Sequence, residues 1–258
     1  MRRLLVIGNW KLNGNKNTIT NLTIALVNEF YNISKCSVAI APPVMYLDVV
    51  KRYLLNSHIQ LCAQNVDIHL SGAFTGDISA EMLQDLNTRY ALIGHSERRI
   101  HHKENDADIA KKFFIIKKVG LIPILCIGEN KKEYDSGYTQ SVCINQIKTV
   151  IKLLGIEAFK NSVIAYEPIW AIGSGVSASP ENVQLVHKSI RDYIASYDAS
   201  IADNITIQYG GSVTPENVIQ FFDQKDIDGV LVGAASLNAN SFSMIVQTAE
   251  KHKKPYPD

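Results

Sequence analysis

The sequence predicts a closed barrel of eight parallel strands alternating with helices, a single-domain α/β fold of (β/α)₈ type spanning residues 1–258. Three observations carry that expectation. Eight short apolar, β-branched runs recur at a spacing of roughly 32 residues, about one strand-plus-helix unit. Most are apolar at every position, as strands buried on both faces are. Between them lie stretches whose apolar residues repeat with helical period. An open, doubly wound sheet fits less well. It usually has fewer strands, and no GxGxxG follows the first run.

In order, the runs are LLVIGN (4–9), SVAIA (37–41), IQLCA (59–63), YALIG (90–94), LIPILCIG (121–128), SVIAYE (162–167), ITIQYG (205–210) and GVLVGA (229–234). Two helices are marked by their apolar spacing. Ile109, Phe113, Ile116 and Val119 follow one stripe, and Val183, Val186, Ile190 and Ile194 follow another. Ser-Pro-Glu-Asn at 179–182 and Thr-Pro-Glu-Asn at 214–217 each read as an N-cap, a first-turn proline and an acidic first turn. The longest stretch without a helical or strand pattern is 64–79. A long structured loop in a compact domain is usually functional.

Composition narrows the function classes. Hydrophobic residues make up 46% and charged residues 20% of 258, which suits a globular protein with a full core. A net charge of +1 lacks the electrostatic footprint of a nucleic-acid binder. The basic KHKK at 251–254 reads as a solvated helix end. No apolar run approaches a membrane span, and the LLVIG near the start is shorter than a secretory core. Cys36, Cys62, Cys126 and Cys143 are far apart, with no CxxC pair. They are expected as buried free thiols in a reducing cytoplasm, and no metal site is expected from their spacing.

In a barrel of this kind the C-terminal strand ends face the functional site. The polar residues there are Asn9 and Lys11 after the first run, His95 and Glu97 after the fourth, and Glu167 after the sixth. Gly210-Gly211-Ser212 and Gly233-Ala234 follow the seventh and eighth. Glycines there can simply make tight turns. Two such ends on adjacent strands instead favour an anion site, because backbone N–H groups can approach a phosphate closely. Lys11 adds a full positive charge.

A histidine beside an apolar run is more often structural than catalytic. His95, however, sits at a strand end and at the start of a short helix, where the positive helix end favours the neutral ring. His58, His69, His101, His102 and His187 have no such setting. Glu167 could be a structural ion-pair partner. Its neighbours Ile164, Pro168, Ile169 and Trp170 are apolar and solvate a carboxylate poorly, which suits a base. Pro168 stiffens one side of the loop that follows, and Gly173 and Gly175 loosen the other, as in a lid that closes over substrate.

Seven segments, in this order, resemble the triosephosphate isomerase family: NWKLN (9–13), AQNV with SGAFTG (63–76), IGHSERR (93–99), CIGE (126–129), AYEPIWAIGSG (165–175), YGGSV (209–213) and LVGAASL (231–237). The resemblance covers nearly the whole chain. It implies interconversion of dihydroxyacetone phosphate and D-glyceraldehyde 3-phosphate through an enediolate, in glycolysis and gluconeogenesis, without metal or organic cofactor. By motif, Glu167 is the proton-transferring base and His95 the electrophile. Asn9 and Lys11 contact substrate, and Lys11 stabilises negative charge. Backbone amides of Gly173, Ser212, Gly233 and Ala234 hold the phosphate, and Glu97 supports Lys11. The resemblance also implies a homodimer in which the loop 65–79, with Thr75, docks near the neighbour's site.

Two positions depart from the family's usual pattern. Val176 stands where the lid often has lysine, and Ala234 where glycine is usual, a strained choice if that residue needs positive φ. Competing readings are a phosphate-binding aldolase or sugar-phosphate epimerase barrel, and a barrel that binds without catalysis. A Schiff-base aldolase would have to use Lys11, which pairs poorly with the Glu167 lid. A non-catalytic barrel has no need of Glu167, His95 and Lys11 together.

Overall fold

The apolar runs become strands because each has two hydrophobic faces to bury. In the computed structural model, which describes residues 2–173 and 177–252, they form β1 (Leu5–Asn9), β2 (Ser37–Ala41), β3 (Ile59–Ala63), β4 (Tyr90–Ile93), β5 (Ile122–Ile127), β6 (Val163–Tyr166), β7 (Thr206–Tyr209) and β8 (Gly229–Val232). Each strand pairs in parallel with the next, and β8 returns to β1 through Leu5↔Gly229 and Val6↔Val230. The result is a closed eight-stranded parallel barrel with helices around it.

Side chains alternate across the strands into two separate cores. Leu5, Ile7, Ala39, Leu92, Ile124, Val163 and Leu231 fill the barrel interior. Their neighbours Val6, Ile40, Ile93, Leu125, Ile164, Val230 and Val232 pack outward under the helices. This is why the runs are apolar at every position rather than at alternate ones.

The helix Pro180–Ala195 begins as its sequence requires. Ser179 accepts a hydrogen bond from the Asn182 amide, and Pro180 occupies the first turn. Val183, Val186, Ile190 and Ile194 are all buried. Ile109, Phe113 and Ile116 are likewise buried on the helix Asp106–Lys118, which ends as Val119 caps it. Thr214-Pro-Glu-Asn behaves differently. Regular helix starts only at Val218, because Asn217 turns its side chain back to accept from the Thr214 amide and to donate to the Ser212 carbonyl. Residues 64–79 form no helix or strand. Lys251 ends the last helix, exposed, and Lys253 and Lys254 lie outside the described residues.

All four cysteines are buried and free. Among the described residues no helix is long and apolar enough to cross a membrane.

His187 lies fully buried on the helix Pro180–Ala195, with Nδ1 3.2 Å from the Asp226 carbonyl oxygen. Burial pushes its pKa down from 6.5 to about 4. Between those values the unfolded chain binds a proton that the folded chain does not. The stabilisation is complete above 6.5 and is lost as pH falls through 4, about 3 kcal/mol in all. Denaturant unfolding at about pH 7 and about pH 4 should show a smaller loss in His187→Gln than in the parent. Equal losses would assign the acid sensitivity elsewhere.

Candidate active site

Parallel strands all end on one side of a barrel, so polar residues far apart in the chain meet there. Asn9 is the last residue of β1 and is buried; its Oδ1 accepts a hydrogen bond from the Lys11 amide at 3.0 Å. Lys11 has a φ of 51°, in the left-handed region that a lysine rarely adopts. Its Nζ donates to Glu97 Oε1 at 2.6 Å. Burial opposes the charge on Glu97, but the hydrogen bond from Lys11 and the surrounding basic groups together outweigh it and hold the carboxyl below its usual range.

His95 follows β4 and caps the short helix Ser96–His101. Its Nδ1 accepts from the Glu97 amide at 3.3 Å, which assigns the proton of the neutral ring to Nε2. Nε2 lies 3.2 Å from Glu167 Oε1. Both side chains are almost fully buried, His95 at 5% and Glu167 at 3% exposure.

Glu167 is fixed from several sides. Its amide donates to the Ile127 carbonyl at 2.7 Å, and the Ser96 amide donates to its Oε2 at 3.3 Å. Gly210 leaves it room, since a Cβ there would sit 2.9 Å from Glu167 Cγ. Gly210, Gly211 and Gly233 are not in the positive-φ region, so φ > 0 does not account for the glycines. Close approach does at Gly210.

The segment after Glu167 is tied at both ends. Glu129 is buried beneath its start and accepts from Trp170 Nε1 at 2.8 Å and from the Tyr166 hydroxyl at 3.1 Å. Burial raises the pKa of Glu129 despite those donors. Ser212 Oγ donates to the Ala171 carbonyl at 3.0 Å. At the far end the Ala178 amide donates to the Tyr209 hydroxyl at 3.2 Å. Gly173 has a φ of 65°, which glycine tolerates best. Ser174, Gly175 and Val176 lie outside the described residues.

A cavity of about 500 Å³ gathers Asn9, Lys11, His95 and Glu167 together with Gly173, Ser212, Gly233 and Ala234. Gly233 leads into a short helical turn, Ala234–Leu237, and the first amides of such a turn lack helical partners and favour an anion. Ala234 does not have positive φ, so an alanine is unstrained there. Glu97 lines a second cavity of about 470 Å³ on the other side of Lys11, also bordered by Asn9 and His95. Thr75 lies apart from both, on the exposed tip of the 64–79 loop. Within that loop His69 pairs with Asp67 at 2.8 Å and stacks on Phe74 at 3.6 Å.

Chemically, the larger cavity offers a carboxylate within contact of an imidazole N–H, a cation, and backbone donors for an anion. Sequence reasoning did not assign Glu129 or Tyr209 to the lid ends, although both fall in segments that carry the family resemblance. Among the described residues no cluster of three His, Cys, Asp or Glu could hold a metal ion.

The sequence profile of the triosephosphate isomerase family matches residues 4–249. The triosephosphate isomerase of Blochmanniella pennsylvanica (strain BPEN) is 90% identical over 257 residues, covering 100% of both chains. That of Blochmanniella floridana is 62% identical over 99% of this chain and 100% of its own. That of Sodalis glossinidius (strain morsitans) is 56% identical over 98% of this chain and 100% of its own. With a closed (β/α)₈ barrel, the strand-end constellation and a family match over nearly its full length, this chain belongs to the triosephosphate isomerase family.

Proposed function

We propose that Glu167, His95 and Lys11 carry out the aldose–ketose isomerisation of this family in the larger cavity. The reaction interconverts dihydroxyacetone phosphate and D-glyceraldehyde 3-phosphate, a step of glycolysis and gluconeogenesis. Glu167 removes a proton from the carbon beside the carbonyl. His95 Nε2–H donates to the carbonyl oxygen, and the resulting enediolate is stabilised by that donor, by Asn9 and by the Lys11 charge. Glu167 then returns the proton to the adjacent carbon. The amides of Gly173, Ser212, Gly233 and Ala234 hold the phosphate, and Glu97 steadies the Lys11 amine.

The observation that carries this reading is the 3.2 Å approach of Glu167 Oε1 to His95 Nε2 at the wall of a cavity that also holds Lys11. One acceptor and one donor thus share a small space, and a carbonyl with its neighbouring carbon can displace their contact, the oxygen taking the donor and the carbon meeting the acceptor. The lid belongs to the same segment as the base for a chemical reason. An enediolate phosphate can eliminate phosphate when water and flexibility allow, and closure suppresses that loss. The test is a coupled assay with D-glyceraldehyde 3-phosphate. Turnover by the parent enzyme supports the reading; a folded protein that binds inorganic phosphate but does not isomerise the substrate overturns it.

The active form is a homodimer in the cytoplasm, with residues 1–258 as one domain in each subunit. Support for the dimer comes from one face. Leu12 and Met45 are 97% and 81% exposed, and Val44 and Met82 are exposed with them. Leu12 and Val44 border the second cavity, next to the 64–79 loop. In this assembly the partner's loop, with Thr75, enters that cavity. Sedimentation at micromolar concentration should give a dimer, and Thr75→Arg should shift it to monomer with a fall in activity; an active parent monomer contradicts the assembly. Four free, buried thiols suit a reducing compartment.

A further inference from the structure

Gln64 stands immediately after β3 and is half-buried. Its side-chain Nε2 donates to two main-chain carbonyls at once, those of Lys11 and Ala41, each at 2.8 Å. An amide nitrogen has two hydrogens, so its donor capacity is fully used. The Ala41 carbonyl ends β2 and also accepts from the Trp10 amide at 3.1 Å. Gln64 therefore ties the end of β3 to β2 and to the backbone just past β1.

Lys11 is the residue that needs such a tie. A lysine at φ 51° is in the left-handed region that disfavours any residue with a Cβ, and it keeps that conformation only when its surroundings hold it. Two side chains do so. Asn9 Oδ1 accepts from the Lys11 amide at 3.0 Å, and Gln64 donates to the Lys11 carbonyl. The residue is thus gripped at both its N–H and its C=O. Released from the second grip, the backbone can relax to negative φ. The Cα–Cβ bond then swings away, and the amine leaves its place against Glu97, 2.6 Å from Oε1. Gln64 itself borders the second cavity and not the one that holds Glu167, so it acts on the chemistry through the backbone it holds, that of Lys11 directly.

We propose that Gln64 is a positioning residue for the isomerisation, holding the Lys11 backbone in its left-handed conformation and so aiming the amine at the substrate. This rests on the reading of Lys11 as the charge-stabilising group. A glutamate substitutes incompletely: ionised it has no proton to give, and protonated it has one, where two carbonyl oxygens each take a donor from Gln64. Asparagine is one methylene too short to span both.

The test is a double-mutant cycle of Gln64→Met, which keeps the length and removes the donor, with Lys11→Ala. It is read as kcat/KM per folded protein, with melting and sedimentation measured alongside. In the Lys11 enzyme Gln64→Met should lower kcat/KM about tenfold to a hundredfold, and in the Lys11→Ala background less than about threefold. A general loss of stability or assembly would lower both backgrounds alike, and that result overturns the proposal, as does an undiminished Gln64→Met enzyme. If Lys11→Ala alone costs little, the reading of Lys11 fails, separately and visibly, and the proposal falls with it. Gln64→Glu repeats the cycle should the methionine variant fold poorly. A crystal structure of either variant gives a second readout. Lys11 at negative φ supports the role; φ still near 51° with the amine on Glu97 contradicts it.

Discussion

Replacing Glu167 with glutamine is expected to lower kcat by about 10²–10⁴-fold, the range a positioned general base contributes, with little change in KM. Glutamine keeps the shape and the bond from the Ser96 amide but cannot take a proton. Substrate affinity should survive because the amides assigned to the phosphate belong to other residues of the cavity, Gly173, Ser212, Gly233 and Ala234. Glu167→Asp separates basicity from position. It retains a carboxylate but withdraws it by one methylene. The main chain cannot follow, because the Glu167 amide is bonded to Ile127 and Gly128 packs against its carbonyl with no room for a Cβ. A misplacement of about 1 Å can cost on the order of 10² in rate. The coupled assay should therefore rank the enzymes parent, Asp, Gln. An aspartate enzyme as fast as the parent would mean that carboxylate position does not limit the rate.

Gly210→Ala is expected to reproduce that positional loss without touching the base. A Cβ on residue 210 would lie 2.9 Å from Glu167 Cγ, closer than real contacts allow, and a tight 3.3 Å from its Oε1. The carboxylate must move, and a displacement approaching about 1 Å should lower kcat on the order of 10²-fold. The backbone at 210 is not in the positive-φ region, so alanine is not strained there. Stability should therefore change far less than activity. Gly137→Ala is the contrast. That glycine has a φ of 75°, and a methyl added to it would meet nothing within 4 Å, so alanine should cost about 1 kcal/mol of stability and leave kcat intact. If Gly210→Ala retains full turnover, Glu167 is not held by contact with the end of β7.

The barrel was legible in the sequence because its strands face two cores. SVAIA and IQLCA match β2 and β3 residue for residue, since each run is bounded by polar or turn residues. The other runs extend a residue or more beyond their strands, which stop short of Gly94, Gly128, Glu167 and Gly210. Thr214-Pro-Glu-Asn misled because two capping residues compete in one tetrapeptide. Asn217 wins the hydrogen bond, so regular helix begins later.

Convergence of Asn9, Lys11, His95 and Glu167 was also legible, because a parallel barrel puts every strand's end on one side. The residues that steady them were not. Glu129 acts on Trp170, 41 positions away, and Gln64 on Lys11, 53 positions away. Such bonds leave no periodic mark, and a polar residue at a strand end looks the same whether it faces water or a distant carbonyl. The question at Ala234 likewise turned on a dihedral, which residue identity alone does not fix.

The central claim is that one carboxylate, on one face of the substrate, moves the proton between adjacent carbons. Isomerisation of D-glyceraldehyde 3-phosphate in D₂O, with the product read by proton NMR, tests it most directly. A base that exchanges with solvent should leave deuterium on a single face of the reacting carbon in a measurable share of the dihydroxyacetone phosphate formed. Deuterium on both faces would indicate more than one base and contradicts the role given to Glu167.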